Sequence, residues 1–359
     1  MMSDSLTFFK RIHLEKMRLE HKKRIRKCEL RQLFWECTLR CNLNCRHCGS
    51  DCKHDASVGD MPLRDFLNVL DDISQTYNPN KILVITTGGE PLMRHDIEEC
   101  GREITKRGFL WGMVSNAMLL TEQRLKELID AGLCTIGISI DGLEGNHNWM
   151  RGNLFSFKNA INAIAYLRKA NIFWDVITCV NMRNFDELPK LKEKLIDMGV
   201  KKWRLITVFP SGRAANDEAM MLSSANLRAL MDFIVETRKE GRIGVSFGCE
   251  SFLGNYECEV RDYTFFCQAG INVASVLSDG SISGCLSIRS DYHQGNIYSD
   301  SFCDVWQNKF ECYRNRKWKK TGDCEKCAVW RYCEGNGMHL RESEGALTQC
   351  LYRRIANLE

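Results

Sequence analysis

From Gln32 to Lys239 the chain repeats one pattern, and that repetition narrows the folds open to it. A short apolar, β-rich run ends on a polar or glycine-bearing cluster and is followed by a stretch with helical periodicity. The pattern predicts strands over 32–38, 82–86, 109–114, 134–140, 173–180 and 203–208. Helices are predicted over 62–77, 96–106, 121–131, 157–169, 188–198 and 225–239. Alternating βα units pair their strands in parallel. Right-handed crossovers then curl the sheet into an α/β fold, a partial (β/α)6 TIM-like barrel. In such barrels the C-terminal strand ends share one face and carry the active site. The clusters that follow the strands are therefore expected to converge in space.

The cluster after the first strand is Cys41-x3-Cys45-x2-Cys48. Three thiolates at that spacing can hold an iron-sulfur cluster and leave one iron without a protein ligand, whereas ordinary electron-transfer cubanes are closed by four cysteines. Cys37 and Cys52 flank the trio and offer a fourth thiolate for the closed alternative. The second strand runs into Gly88-Gly89-Glu90-Pro91, where the glycines let main chain approach a ligand or simply turn from strand to helix. Ser115-Asn116 follows the third strand and Ser139-Ile140-Asp141 the fourth. These are small hydrogen-bonding groups of a kind that also cap loops.

Taken together, these residues resemble the radical S-adenosylmethionine (radical SAM) enzymes over about 32–239. The resemblance implies that Cys41, Cys45 and Cys48 hold a 4Fe-4S cluster whose vacant iron chelates the amino and carboxylate groups of S-adenosyl-L-methionine. It places Gly88, Gly89, Glu90 and Pro91 at the methionine moiety, and Ser115, Asn116, Ser139 and Asp141 at its ribose and methionine parts. Arg151, in Trp149-Met150-Arg151-Gly152, would pair with the cofactor carboxylate, a task suited to guanidinium; an ordinary surface arginine is the alternative. The implied chemistry is reductive cleavage to a 5′-deoxyadenosyl radical, which takes hydrogen from a substrate C–H bond. The cofactor carries the hard chemistry, and a flavodoxin or ferredoxin is the implied electron donor. That first step requires no side chain as nucleophile or general base.

Past Gly241 the strand-helix alternation stops and cysteines become dense. Cys267-x12-Gly280-x4-Cys285 is followed by Cys324-x2-Cys327-x5-Cys333 and by Cys350, which resembles the SPASM or twitch auxiliary-cluster domain of radical enzymes that modify peptides. Residues 276–285, with Asp279-Gly280 inside, read as a hairpin on a two-residue type I′ turn. Cys-x2-Cys pairs also bind structural zinc, the competing assignment. Cys324, Cys327, Cys333 and Cys350 suffice for one auxiliary 4Fe-4S cluster. Where the fuller pattern has a further cysteine this chain has Gly337, so a second cluster on Cys267 and Cys285 needs help from Cys249, Cys258 or His339. The expected domains are a basic helical extension (1–31), the barrel (32–240) and the auxiliary domain (241–359).

Nineteen cysteines in 359 residues, with no cleavable signal sequence or apolar span, fit metal binding in a reducing cytoplasm better than a disulfide framework. Cys100, Cys134 and Cys179 fall within strand or helix patterns and read as buried apolar side chains. A net charge of +4 is too small to suggest nucleic acid. From Lys10 to Arg31, ten Lys and Arg stand against three Glu, with Phe8, Phe9, Ile12, Met17 and Leu19 interleaved. Such a helix can rest on an anionic membrane surface, or it can be a solvated helix packed across the barrel. The expected partner is a peptide or small-protein substrate. The alternatives are a small molecule or a tetrapyrrole side chain, and, outside enzymes, a non-catalytic iron-sulfur electron carrier.

Overall fold

The computed structural model describes residues 6–56, 58–289, 291–342 and 344–358. Its centre is a parallel sheet of β1 (Gln32–Thr38), β2 (Leu83–Gly88), β3 (Leu110–Ser115), β4 (Leu133–Ser139), β5 (Phe173–Val180), β6 (Lys202–Thr207) and β7 (Gly244–Phe247). The connecting helices are α2 (Leu63–Thr76), α3 (Ile97–Lys106), α4 (Glu122–Asp130), α5 (Glu144–Arg151), α6 (Ser156–Leu167), α7 (Leu188–Asp197) and α8 (Ser224–Glu240); a helix α1 (Phe8–Lys27) precedes them. The expected partial barrel is present. It gains a seventh parallel strand, β7, and an extra helix, α5. The sheet stays open, because β7 forms one edge and the other edge lies in the C-terminal third of the chain.

That far edge is built by β8 (Val273–Val276), β9 (Ser281–Ser283) and β10 (Gly295–Asn296). β8 lies parallel to β1, pairing Gln32 with Val273 and Trp35 with Val276, so one sheet runs from the barrel into the cysteine-rich region. The β8–β9 hairpin forms, but not on a type I′ turn. Leu277 N–H donates to Ser281 O and Gly280 N–H to Leu277 O, both at 2.9 Å, closing a three-residue connection. Gly280 has φ +85° and Asp279 is not left-handed. Ser278 explains the wider turn, since its N–H and hydroxyl both donate to the buried Glu36 carboxylate at 3.2 Å.

Helices pack against the sheet; burial alternates along β2, β6 and β7, while β1, β3 and β4 carry continuous buried runs. Trp35 on β1 stacks on Phe66 of α2 with ring centroids 4.1 Å apart. Trp111 on β3 and Trp203 on β6 bury their indoles and satisfy the N–H on Thr86 (3.2 Å) and Thr178 (2.8 Å) of neighbouring strands. Helix α1 is capped by Thr7, whose hydroxyl accepts from Lys10 N. It packs on the C-terminal third through Lys10 with Glu259 (3.2 Å), His13 with Thr264 (3.2 Å) and Arg331 with Glu15 (2.7 Å). Phe8 and Phe9 remain exposed. No helix among the described residues is long and apolar enough to cross a membrane.

Candidate active site

After β1 the chain enters the cysteine loop, which is gripped from several elements. Cys41 N–H donates to Lys53 O (2.8 Å) and Arg46 N–H to Met150 O (2.9 Å). From the loop after β6, Arg213 donates through Nε to Cys45 O (2.6 Å), and through Nη1 to Cys52 O and Asp51 Oδ1 (both 2.9 Å). Cys41, Cys45 and Cys48 thus come to line one cavity of about 170 Å³, together with Gly88, Gly89, Glu90, Ser115, Asn116, Ser139 and Arg151. Four strand ends meet there.

The flanking cysteines separate. Cys37 is fully buried on β1, its thiol donates to Thr87 O at 3.3 Å, and it does not line the cavity. Cys52 does line it. A hydrogen bond between the Cys48 and Cys52 thiols, more than any other influence, pulls Cys48 down to about 5 and pushes Cys52 up.

Gly88 has the positive φ expected of it, +136°, and the pair also meets a second demand. Gly89 N–H donates to Thr38 O (2.8 Å) and Glu90 N–H to Arg40 O (2.9 Å), so these amides are spent on the cysteine loop. A β-carbon on Gly88 would fall 2.0 Å from Thr38 O, and one on Gly89 2.1 Å from Arg40 O. The glycines are demanded by the approach of the cysteine-loop backbone, which fixes the trio against β2. Buried Glu90 is a strut. Its Oε1 accepts from the Ser115 hydroxyl (2.8 Å) and Leu92 N–H (3.2 Å), and its Oε2 from Asn116 N–H (2.7 Å). Burial raises its carboxyl above the ordinary range, against these donors. Asn116 reaches on to Asn42 Oδ1 at 2.8 Å. Pro91 opens the turn that follows and is not on the cavity wall.

Ser139 lies on the wall and Asp141 lies behind it. Asp141 is fully buried: Oδ2 accepts from Arg151 Nε at 2.6 Å and Oδ1 from Cys179 N–H at 2.9 Å. Arg151 is therefore no surface arginine. Asp141 holds it on the wall, with Nη1 3.7 Å from Cys45 Sγ. Two residues of this site escaped the sequence reading. Arg213, in Pro210-Ser211-Gly212-Arg213, follows a strand as Gly88-Gly89 does, so the same signal could have found it. His47 lines the cavity with its Nδ1 buried and unpartnered among the described residues, and nothing in the sequence marks it.

The auxiliary cysteines also gather. Cys324, Cys327, Cys333 and Cys350 line one small pocket. Burial, and after it the nearby thiols of the other three, push the Cys333 thiol up. The thiols of Cys249, Cys267 and Cys285 form a second group within electrostatic reach of one another. Cys258 faces elsewhere, its sulfur 3.3 Å from His13 Nε2 and 3.4 Å from Thr264 Oγ1. Among the described residues no three His, Cys, Asp or Glu side chains converge tightly enough for a single ion. All-thiol sets such as the trio and the Cys324 group, each lining a pocket, fit the soft irons of a cluster.

The radical SAM superfamily model matches residues 35–195, and the iron-sulfur cluster-binding domain model matches 267–328. The chain is 27% identical over 347 residues to the AdoMet-dependent heme synthase of Methanosarcina barkeri, which covers 90% of this chain and 97% of that protein. It is 27% identical over 305 residues to the PqqA peptide cyclase of Bradyrhizobium diazoefficiens, covering 81% of this chain and 77% of that one. The solved structure of anSMEcpe with bound AdoMet shares the fold, with a TM-score of 0.72 at 21% identity over 92% of this chain and 95% of that one. The chain therefore carries a radical SAM domain followed by an iron-sulfur cluster-binding domain, and is an enzyme of S-adenosylmethionine and 4Fe-4S clusters.

Proposed function

We propose that this enzyme takes hydrogen from a side chain of a peptide or small protein and so modifies it after translation. One observation carries the reading: a second cavity, of about 220 Å³, shares His47 and Cys48 with the first. Its other walls include the strand-end residues Cys179 and Thr207, then Phe209, with Leu286, Ser287 and Arg289 from the C-terminal third. This volume lies below the roughly 300–1,000 Å³ of clefts that engulf drug-sized molecules, so it suits one side chain of a larger substrate.

Cys41, Cys45 and Cys48 would hold the 4Fe-4S cluster, which would supply the electron for reductive cleavage of S-adenosylmethionine. The remaining tasks fall to the chain. Ser115, Asn116, Ser139 and Arg151 orient the cofactor; Glu90 fixes Ser115 and Asn116, and Asp141 fixes Arg151. Ile206, Val208, Phe209 and Leu286 keep water from the substrate side chain. Arg289 donates to Glu36 Oε1 (2.8 Å) and to the Ser50 hydroxyl, tying the C-terminal wall to the cysteine loop. Leu286 and Ser287 directly follow Cys285, so the substrate wall adjoins a candidate auxiliary ligand.

A second reading, action on a tetrapyrrole side chain, is favoured by the nearly end-to-end match with a heme synthase. Anaerobically reconstituted protein, S-adenosylmethionine and dithionite separate the two. The peptide reading expects a peptide to stimulate 5′-deoxyadenosine formation and to pass deuterium from its labelled side chain into it. Stimulation by an iron porphyrin instead, with deuterium passing from its labelled side chain into 5′-deoxyadenosine, would overturn that reading in favour of the second.

A further inference from the structure

We propose that His339 stands in for the cysteine missing at position 337, so that Cys249, Cys267, Cys285 and His339 make a Cys3His set for the second auxiliary cluster. The inference rests on the chain being an iron-sulfur enzyme, not on its substrate. Gly337 has φ −66° and ψ 142°, ordinary values for any L-residue, so the backbone there does not call for glycine. What excludes a side chain is the imidazole. A β-carbon built on Gly337 would fall 2.7 Å from His339 Cε1 and 2.9 Å from its Nδ1. The ring therefore occupies the space into which a cysteine at 337 would project.

The same stretch is pinned beside Cys249. Asn336 Oδ1 accepts from the Ser251 hydroxyl (2.6 Å) and from Phe252 N–H (3.2 Å), and the Gly337 β-carbon would lie 3.0 Å from Glu250 O. Phe209 meets the imidazole edge-on, with centroids 5.1 Å apart, and also lines the substrate cavity with Leu286 and Ser287, next to Cys285. A second observation points to charge at this site. Lys319 is fully buried, its Nζ has no hydrogen-bond partner among the described residues, and it lies within electrostatic reach of both Cys267 and Cys333. Arg316 and Arg341 lie within electrostatic reach of the same side chain, so basic groups crowd this spot, and thiolate-held clusters at Cys267 and Cys333 would offset them.

Replacing a thiolate by neutral imidazole removes one negative charge and raises a cluster's potential, as it does when histidines replace cysteines in Rieske centres. The test uses the full chain, reconstituted anaerobically with iron and sulfide, with 15N-labelled histidine in parallel samples. Pulsed EPR of the reduced wild type should show a strongly coupled nitrogen that follows the label and is lost in His339→Ala. His339→Cys should keep the wild-type iron count, lose the nitrogen coupling and lower one midpoint potential. Because His339→Ala could simply lose the cluster, the double variant Gly337→Cys/His339→Ala supplies the missing thiol and should restore the iron without the nitrogen signal. The proposal is overturned if the coupling survives in His339→Ala, or if the wild type carries iron for only two clusters. These spectra need no substrate, so a wrong substrate assignment leaves them untouched.

Discussion

Cys52 is where the vacant iron at the cysteine trio is put to the test. Its thiol lies on the cavity wall and is hydrogen-bonded to Cys48, whereas Cys37 is turned away to Thr87 O. If Cys52 only borders the site, Cys52→Ala should still form 5′-deoxyadenosine, while Cys45→Ala should form none and lose one cluster's iron. Equal loss in both, read by chromatography and iron analysis, would mean that Cys52 closes the cubane. Gly89 gives a second test at the same scale. Its β-carbon would meet Arg40 O at 2.1 Å, so Gly89→Ala must displace the cysteine loop. Overpacking of this kind costs about 1–3 kcal/mol, and the thermal midpoint of the cluster-free protein should fall accordingly. The spacing of cysteines and the glycine pair were legible because each is a local signal. The reason for the glycines was not, because the atoms that exclude a β-carbon belong to Thr38 and Arg40, some fifty residues earlier.

Among the elements, those with an apolar stripe were legible, whereas α5 and β7, which lack one, were not. Helix α5 buries His147, Asn148 and Arg151 beside Met150, so its buried face has a polar sequence; β7 is only four residues long. Helix α1 was legible as a helix but not in its docking, because its buried residues are only Leu14 and His21. His21 is 4% exposed and stacks on Phe266 at 4.2 Å. Burial first, then Arg24 and Arg316, lower its imidazole from 6.5 to about 4, with Glu20 opposing. The undocked chain would take up a proton below 6.5 and the docked one only below about 4. His21 therefore supports docking fully above pH 6.5, and that support is lost as pH falls toward 4. At about 1.4 kcal/mol per pH unit the loss has a ceiling of about 3 kcal/mol. Amide protection along α1 should decline between pH 7 and 5, and His21→Phe should flatten that decline. An equal decline in the variant would remove His21 as its cause.

At the scale of the whole molecule, the cysteine-rich region and the barrel share one sheet, and this bears on where the chain can be cut. Composition changes near Gly241, yet β7 and β8 both lie beyond it, and β8 pairs with β1, the strand that delivers the cysteine loop. Glu36 on β1 is 2% exposed, and its carboxylate is satisfied by Ser278 and Arg289, both from the C-terminal side. Cutting at 240 would expose one edge of β1, leave Glu36 without these partners and strip Phe266 from His21. A carboxylate buried without its partners is among the costlier defects a core can carry. The piece 1–240 should therefore fail to melt cooperatively, whereas the full chain should show one transition by circular dichroism. Arg289→Met in the full chain isolates part of this effect. It keeps the sheet and removes the guanidinium from Glu36 and from the Ser50 hydroxyl, at a cost of about 1–3 kcal/mol, since Arg289 is itself partly exposed. If 1–240 melted as sharply as the whole chain and still cleaved S-adenosylmethionine, the barrel would be self-sufficient and the shared sheet only an attachment.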